Sequence, residues 1–305
     1  MEQQPMIELT GLRINNPQAV FAALGLVRIL NDRGWPVRLH WRETDHRAIL
    51  EGCEWSQLVE ELTAYLNGRE GAPELKWADS IKKLPRARYR ELMQQCDARE
   101  RIWLEAYWYE SWHGPQTKNK DGLAKSRLDM TSGSIKFFAA VREIIPLLRK
   151  KPLERALEEA LLQPWLNTDD CSNLGWDPGA IKDGATITGG KLEKIPHRGV
   201  MAAIWLAFET LPWFPARWLA GSRQEIRWVL PHQPATANGI RLMLLAHPGL
   251  SVQELTAQGW SRWIARIGKN GKYSYLFSAT RTWSDRQNPT GSRKTAPAYK
   301  AVRME

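Results

Sequence analysis

The chain opens with two different periods of apolar positions. Ile7 to Ile14 reads as a strand, and NNPQAVFAALGLVRILNDRG then shifts to helical spacing. Val20, Phe21, Leu24 and Val27, with Leu30 one turn on, fall on one face and predict an amphipathic helix with that face buried. Asn16 has the side chain to cap it, and Pro17 stands where its missing N–H costs nothing. Gly25 in its middle costs ~1 kcal/mol against alanine, so close packing of another element is expected there. Gly34 and Pro36 end the helix.

Residues 36–43, PVRLHWRE, alternate like a strand, while 55–67 and 98–111 carry helical patterns. Residues 134–163 predict two helices split near Pro152. The stretch 164–196 lacks periodicity and is dense in Gly, Asp and Thr, which predicts a long loop or a domain junction. A helix follows in HRGVMAAIWLAFETL, halted by LPWFP. In WSRWIARIGKNGKYSYLFSATRTW two runs of Trp, Ile, Tyr and Phe flank GKNGK, and Asn270-Gly271 readily adopts the positive φ angles of a tight turn, predicting a β-hairpin. The fold expected is α+β, with mixed helices, short sheets and a C-terminal basic β-hairpin. The expected division is an N-terminal α+β domain over 1–165, a C-terminal α+β domain over 166–285 and a flexible basic tail over 286–305, where DRQNPTGSRKTAPAYK has the composition of a mobile segment.

Charge changes this picture most. Residues 259–305 hold ten Lys or Arg against Asp285 and Glu305, so this end carries +8 of the formal +10. A concentrated cationic end suits a polyanion, because each neutralised phosphate releases condensed counterions. A solvated basic tail is the alternative. The hairpin has the same two readings: a ribbon whose Arg262, Lys269, Asn270, Lys272 and Arg281 meet nucleic acid, or a sheet edge guarded by lysines. Arg286, Arg293 and Lys294 extend the cationic run.

A second candidate lies in WYESWHGPQTKNKDGLAKSRLDMTSGS, residues 108–134. Thr131 or Ser132 is a good cap for a helix beginning near Ser134, and the free amides of a first helical turn make an anion site. Lys118, Lys120, Lys125 and Arg127 stand just before it, and Gln116, Thr117, Lys118 and Asn119 are types able to contact base edges or phosphates. Trp108 and Trp112 are read as core rather than as stacking groups, in keeping with the burial of most aromatics.

Other chemistry finds little support. The six histidines stand apart, and Glu110, His113, Asp121 and Asp129, the nearest approach to a catalytic constellation, have no spacing that forces them together. No phosphate-binding or dinucleotide fingerprint occurs. His197 beside Arg198 reads as a cap or a phosphate contact, and Asp169, Asp170 and Asp177 read as solvated acids. Cys53, Cys96 and Cys171 are widely spaced, which predicts neither a disulfide framework nor a zinc site. The longest apolar run, Val200 to Phe208, is far below the ~20 residues of a membrane span. The expectation is a cytoplasmic, non-enzymatic protein with no cofactor, no metal and no small-molecule ligand.

NNPQAVFAALGLVRIL at 15–30 resembles the opening of accessory and large-subunit-like proteins of type I-G (formerly I-U) CRISPR-Cas systems. LDMTSGSIKFF at 128–138, SNLGWDP at 172–178 and LAFETLPWFP at 206–215 are similar in kind and in order. The resemblance implies a subunit of a Cascade-type complex carrying crRNA and other Cas subunits, which contacts the short motif flanking a double-stranded DNA target. By position it puts Pro17, Phe21, Ala23, Leu24 and Gly25 in a fold-defining helix, Thr131 to Ser134 at a helix start, and Trp176 and Asp177 in a loop of unassigned task. Large subunits of this kind commonly finish in a helical bundle, whereas this chain finishes in a hairpin and tail. A nuclease or RNA-processing enzyme and a purely protein-contacting subunit are the competing expectations.

Overall fold

The computed structural model describes residues 4–110, 123–131, 136–180, 198–221, 224–270 and 273–285. Strand β1 (Met6–Arg13) leads into helix α1 (Pro17–Asp32), where the Asn16 side chain accepts from the Gln18 amide at 3.0 Å and the Ala19 amide at 3.4 Å. Strands β2 (Arg38–Trp41) and β3 (Arg47–Glu51) form an antiparallel pair. Helices α2 (Trp55–Gly68), α3 (Arg86–Gln95) and α4 (Ala98–Tyr107) follow. Next come the short ribbon β4 (Trp108–Glu110) and β5 (Leu123–Lys125), then helices α5 (Phe137–Lys150) and α6 (Leu153–Leu161). The two-residue strands β6 (Asp169–Asp170) and β7 (Arg198–Gly199) precede helix α7 (Met201–Glu209). The last part comprises β8 (Glu225–Pro231), β9 (Ala235–Thr236), α8 (Ala237–Ala246), α9 (Val252–Ala257), β10 (Trp260–Asn270), β11 (Tyr273–Leu276) and β12 (Thr280–Thr282).

These elements make an α+β fold with two four-stranded sheets. One has the order β1-β3-β2-β9; in the other, β10 pairs antiparallel with β8, β11 and β12. Helix α1 packs closely on α7. Gly25 is the reason the two helices come so near: a Cβ there would overlap the carbonyl oxygen of Leu206, so only glycine fits the crossing. This close approach accounts for a residue that otherwise costs helix stability.

The expected boundary at 165/166 runs through a single hydrophobic core. Phe21 of α1 meets Trp176, Phe214 and Trp228 edge-on, with ring centroids 5.3–5.9 Å apart, and β9 adds to the sheet begun by β1. Helix α5 begins at Phe137 with Lys136 in the capping position and no side-chain cap, later than expected from Thr131 and Ser132. The second half of 98–111 leaves the helix after Tyr107 and becomes β4. Asn270 pairs with Tyr273, so Asn270 closes the ladder and flanks the two residues between the strands. Cys53, Cys96 and Cys171 are buried free thiols, their pKa values pushed up to about 11, 11 and 12, chiefly by burial. No helix of the described residues is long and apolar enough to cross a membrane.

Candidate nucleic-acid interface

Two regions singled out by their cations meet on opposite sides of one short turn. The turn is the SNLGWDP stretch. The Gly175 carbonyl accepts the Leu276 amide of β11 at 2.8 Å, and the Trp176 indole N–H donates to the Leu128 carbonyl at 2.8 Å. A Cβ on Gly175 would lie 2.8 Å from the Met130 side chain and 2.8 Å from the Ser274 carbonyl oxygen. The 123–131 segment and the β10–β11 hairpin are therefore neighbours, separated by the width of a glycine.

On one side, the ribbon β4–β5 anchors both ends of the stretch 111–122, with Trp108 opposite Lys125 and Glu110 opposite Leu123. Trp108 is core, as expected: it is buried and its indole donates to the Ile81 carbonyl at 2.8 Å. Lys125 and Lys82 both approach the fully buried Asp129 carboxylate, at 3.1 and 3.8 Å. Two ammonium groups on one carboxylate leave a net positive charge at the surface. Burial, together with the like charge of Lys125, holds the Lys82 ammonium below its ordinary range. Lys82 also donates to the Thr131 carbonyl. The Thr131 amide and hydroxyl both donate to Asp129, at 3.1 and 2.5 Å, in a turn. The first residues of α5, Phe137 and Phe138, are buried in the core, so the described residues do not form the expected anion site at that helix start. Arg127 is half-buried near Tyr109, whose phenol is pushed up by burial and eased back by that positive charge.

On the other side, Lys269 is exposed at the end of β10 and Arg266 is half-buried. Arg262 corrects the sequence expectation. It is only 7% exposed, pairs with Asp285 at 2.9 Å and donates to the carbonyls of His247 and Leu250, tying β10 to the segment before α9. An arginine committed in this way is a structural tie and is not presented to a polyanion. Arg281 lies 3.4 Å from Glu43 and 4.1 Å from the Trp283 ring centroid. Gln116, Thr117, Lys118, Asn119, Lys120, Ser132, Ser134, Lys272, Arg286, Arg293 and Lys294 lie outside the described residues, as do Trp112, His113, Asp121 and His197.

Glu110, weighed for catalysis, and Asp169 and Asp177, read as solvated acids, are engaged by partners within the fold. Glu110 is gripped by Arg86 at 2.9 Å and Arg90 at 2.6 Å, and these hydrogen bonds lower its pKa to about 2. It sits at the wall of a cleft of about 470 Å3 beside Tyr89, Tyr109 and Arg217. Asp169 accepts from the Met201 amide at 2.8 Å and pairs with Lys151. Asp177, expected in solvent, is buried: its Oδ1 accepts from Asn16 at 2.8 Å and from the Gly179 amide at 2.9 Å. That bond orients the Asn16 amide so that its oxygen faces the start of α1. Among the described residues no group of three or more His, Cys, Asp or Glu side chains is placed to hold a metal ion.

Sequence reasoning missed a buried ionic cluster. Glu209, with no exposure, accepts from Arg28 at 2.5 Å, Arg69 at 2.8 Å and the Tyr65 hydroxyl at 2.7 Å, while Arg69 also pairs with Glu74. The guanidinium carbons of Arg28 and Arg69 stand 5.4 and 5.2 Å from the Trp103 ring centroid. Arg28 and Glu209 belong to the first and last of the four stretches that carry the family resemblance. A lone charge inside each apolar run was the signal that could have paired them. No protein-family model matches the chain, and no curated protein matches it.

Proposed function

We propose that the chain is a non-catalytic subunit of a crRNA-guided, Cascade-type CRISPR complex of the type I-G kind, acting in the cytoplasm, which binds double-stranded target DNA and reads the flanking motif. One observation carries the reading: the four stretches that suggest the family, scattered over about two hundred residues of sequence, lie together in space. Phe21 and Phe137 pack on Trp176, Phe21 packs on Phe214, Trp176 bonds to Leu128, and Asn16 bonds to Asp177.

The mechanism divides the labour. Pairing between guide RNA and target supplies long sequence recognition, while the protein grips phosphates and reads a short duplex motif. Gln116 to Lys120, in the stretch between β4 and β5, are assigned to the motif, with Lys125 and Arg127 beside them. Lys269, Lys272 and the cations of 286–305 supply electrostatic grip. Alanine at Lys118 or Asn119 is expected to weaken discrimination between motifs. Alanine at Arg286, Arg293 and Lys294 is expected to weaken all DNA alike and to flatten the salt dependence by roughly one unit of slope for each phosphate no longer gripped. Binding of motif variants to the assembled complex across a salt series tests both. An equal loss across motifs from both sets of variants would overturn the division, and a complex that purifies without RNA of uniform length would overturn the assignment.

A further inference from the structure

A cleft of about 390 Å3 opens beside the buried ionic cluster, lined from the end of α1, the start of α4, the turn Leu211–Trp213 and α8. Helical spacing places its residues. On α4, Arg99 stands three residues before Ile102 and four before Trp103, so the three share one face. On α1, Arg28 and Asp32 are one turn apart and pair at 2.7 Å. Pro212 and Trp213 continue the apolar wall begun by Ile102, with Trp213 only 6% exposed and Ile102 36%. Arg241, from α8, completes the lining.

The charges lining this cleft do not cancel. Arg28 is committed to Asp32 and Glu209. Arg99 and Arg241 are exposed, and the side chain of neither has a hydrogen bond or an ion pair with a described residue. Two uncommitted guanidinium groups beside an apolar wall complement an anion joined to an apolar group, and their planar forks match a carboxylate. A polynucleotide is a poor fit. It calls for a run of cations, whereas Asp32, with 38% of its side chain exposed, would repel its phosphates, and the Trp213 ring is set too deep for a base to stack on. We infer that this cleft binds an acidic segment of a partner protein. Arg99 and Arg241 hold an Asp or Glu carboxylate of that segment, and a neighbouring apolar side chain rests on Ile102, Pro212 and Trp213. None of these residues belongs to the candidate nucleic-acid interface, so the inference stands apart from the proposed function.

The test selects phage-displayed random octapeptides on the full chain and measures the selected peptide, fluorescently labelled, by anisotropy. Sequences with an Asp or Glu next to a large apolar residue are expected to be enriched. Arg99→Ala and Arg241→Ala are each expected to weaken the selected peptide about tenfold, the scale of one charge-assisted hydrogen bond. Both side chains are exposed and unpaired among the described residues, so the fold does not depend on them. Changing the acid of the peptide to its amide is expected to cost as much in the native chain and nothing further in the chain carrying both substitutions. No enrichment, enrichment without acids, or a peptide indifferent to both substitutions would overturn the inference. A loss in Arg99→Ala alone would also overturn it, placing the peptide in the adjoining cleft of about 400 Å3, which Arg99 and Trp103 line and Arg241 does not. Oligothymidine binding that falls in both variants while peptide binding holds would make this a phosphate site instead.

Discussion

His247 shows how one buried side chain sets the response of the chain to acid. Burial, reinforced by the charges of Arg262 and Arg227, holds its pKa down at about 4 against an ordinary value of 6.5, although Nδ1 lies within hydrogen-bonding distance of the Leu244 carbonyl, at 2.7 Å. The unfolded chain takes up a proton near 6.5 that the folded chain refuses until about 4, so stability is full above the first value and is lost as pH falls toward the second. The linkage amounts to about 3 kcal/mol between those limits. His40 and His232 lean the same way, also chiefly through burial. Urea midpoints measured from pH 7 down to 4 are expected to fall in the native chain and to fall less in His247→Asn; equal slopes would refute the assignment. The sequence allowed some single residues to be read correctly. Asn16 as a cap and Gly25 as a close-packing site both follow from local rules that a helix imposes wherever it sits. Arg262 and Asp177 were misread for a common reason: charge along a chain does not reveal which way a side chain turns, and both turn inward to partners far away in sequence.

Among the elements, α1, α2, α7 and the C-terminal hairpin were legible because each carries a strong period or a turn signal. Strand β3 was not, since its turn from β2 places His46 at a positive φ of 59°, a conformation for which histidine gives little warning. Helices α3, α8 and α9 are short, and α3 is rich in charge, so their apolar stripes are faint. The pairing of α1 and α7 carries the ionic cluster with it. Glu209 serves two guanidinium groups from inside the core, and Glu209→Ala would strand Arg28 and Arg69 there. A loss of about 3–5 kcal/mol is expected, the usual cost of a buried charge left without its partner. Urea unfolding of the variant measures it. A loss below about 1 kcal/mol, within the range of exposed pairs, would mean that water reaches the cluster.

For the whole molecule, one core cluster spans both sides of residue 165, and a single unfolding event is expected. Segments on either side of residue 165 share the aromatic cluster around Phe21 and the β1-β3-β2-β9 sheet, so neither buries its apolar face alone. Tryptophan fluorescence and far-ultraviolet dichroism are expected to report coincident urea transitions. Two separated transitions would support the division into an N-terminal and a C-terminal domain. Nothing in the local pattern announced this unity, because β9 reaches the first sheet from nearly two hundred residues downstream of β2, and periodicity carries no information about such distances. The candidate site follows the same division. Its cations were visible as charge density, whereas the contact between its two halves is made by the SNLGWDP turn, whose sequence does not tell what packs against its glycine.

That turn leaves no slack. With Met130 against one flank of Gly175 and the backbone of Ser274 against the other, a load on the hairpin cannot be absorbed locally. A displacement of β11 is expected to reach the segment of Lys125 through this contact. Enlarging the residue at 175 would pry the halves apart and make them answer to their ligands separately.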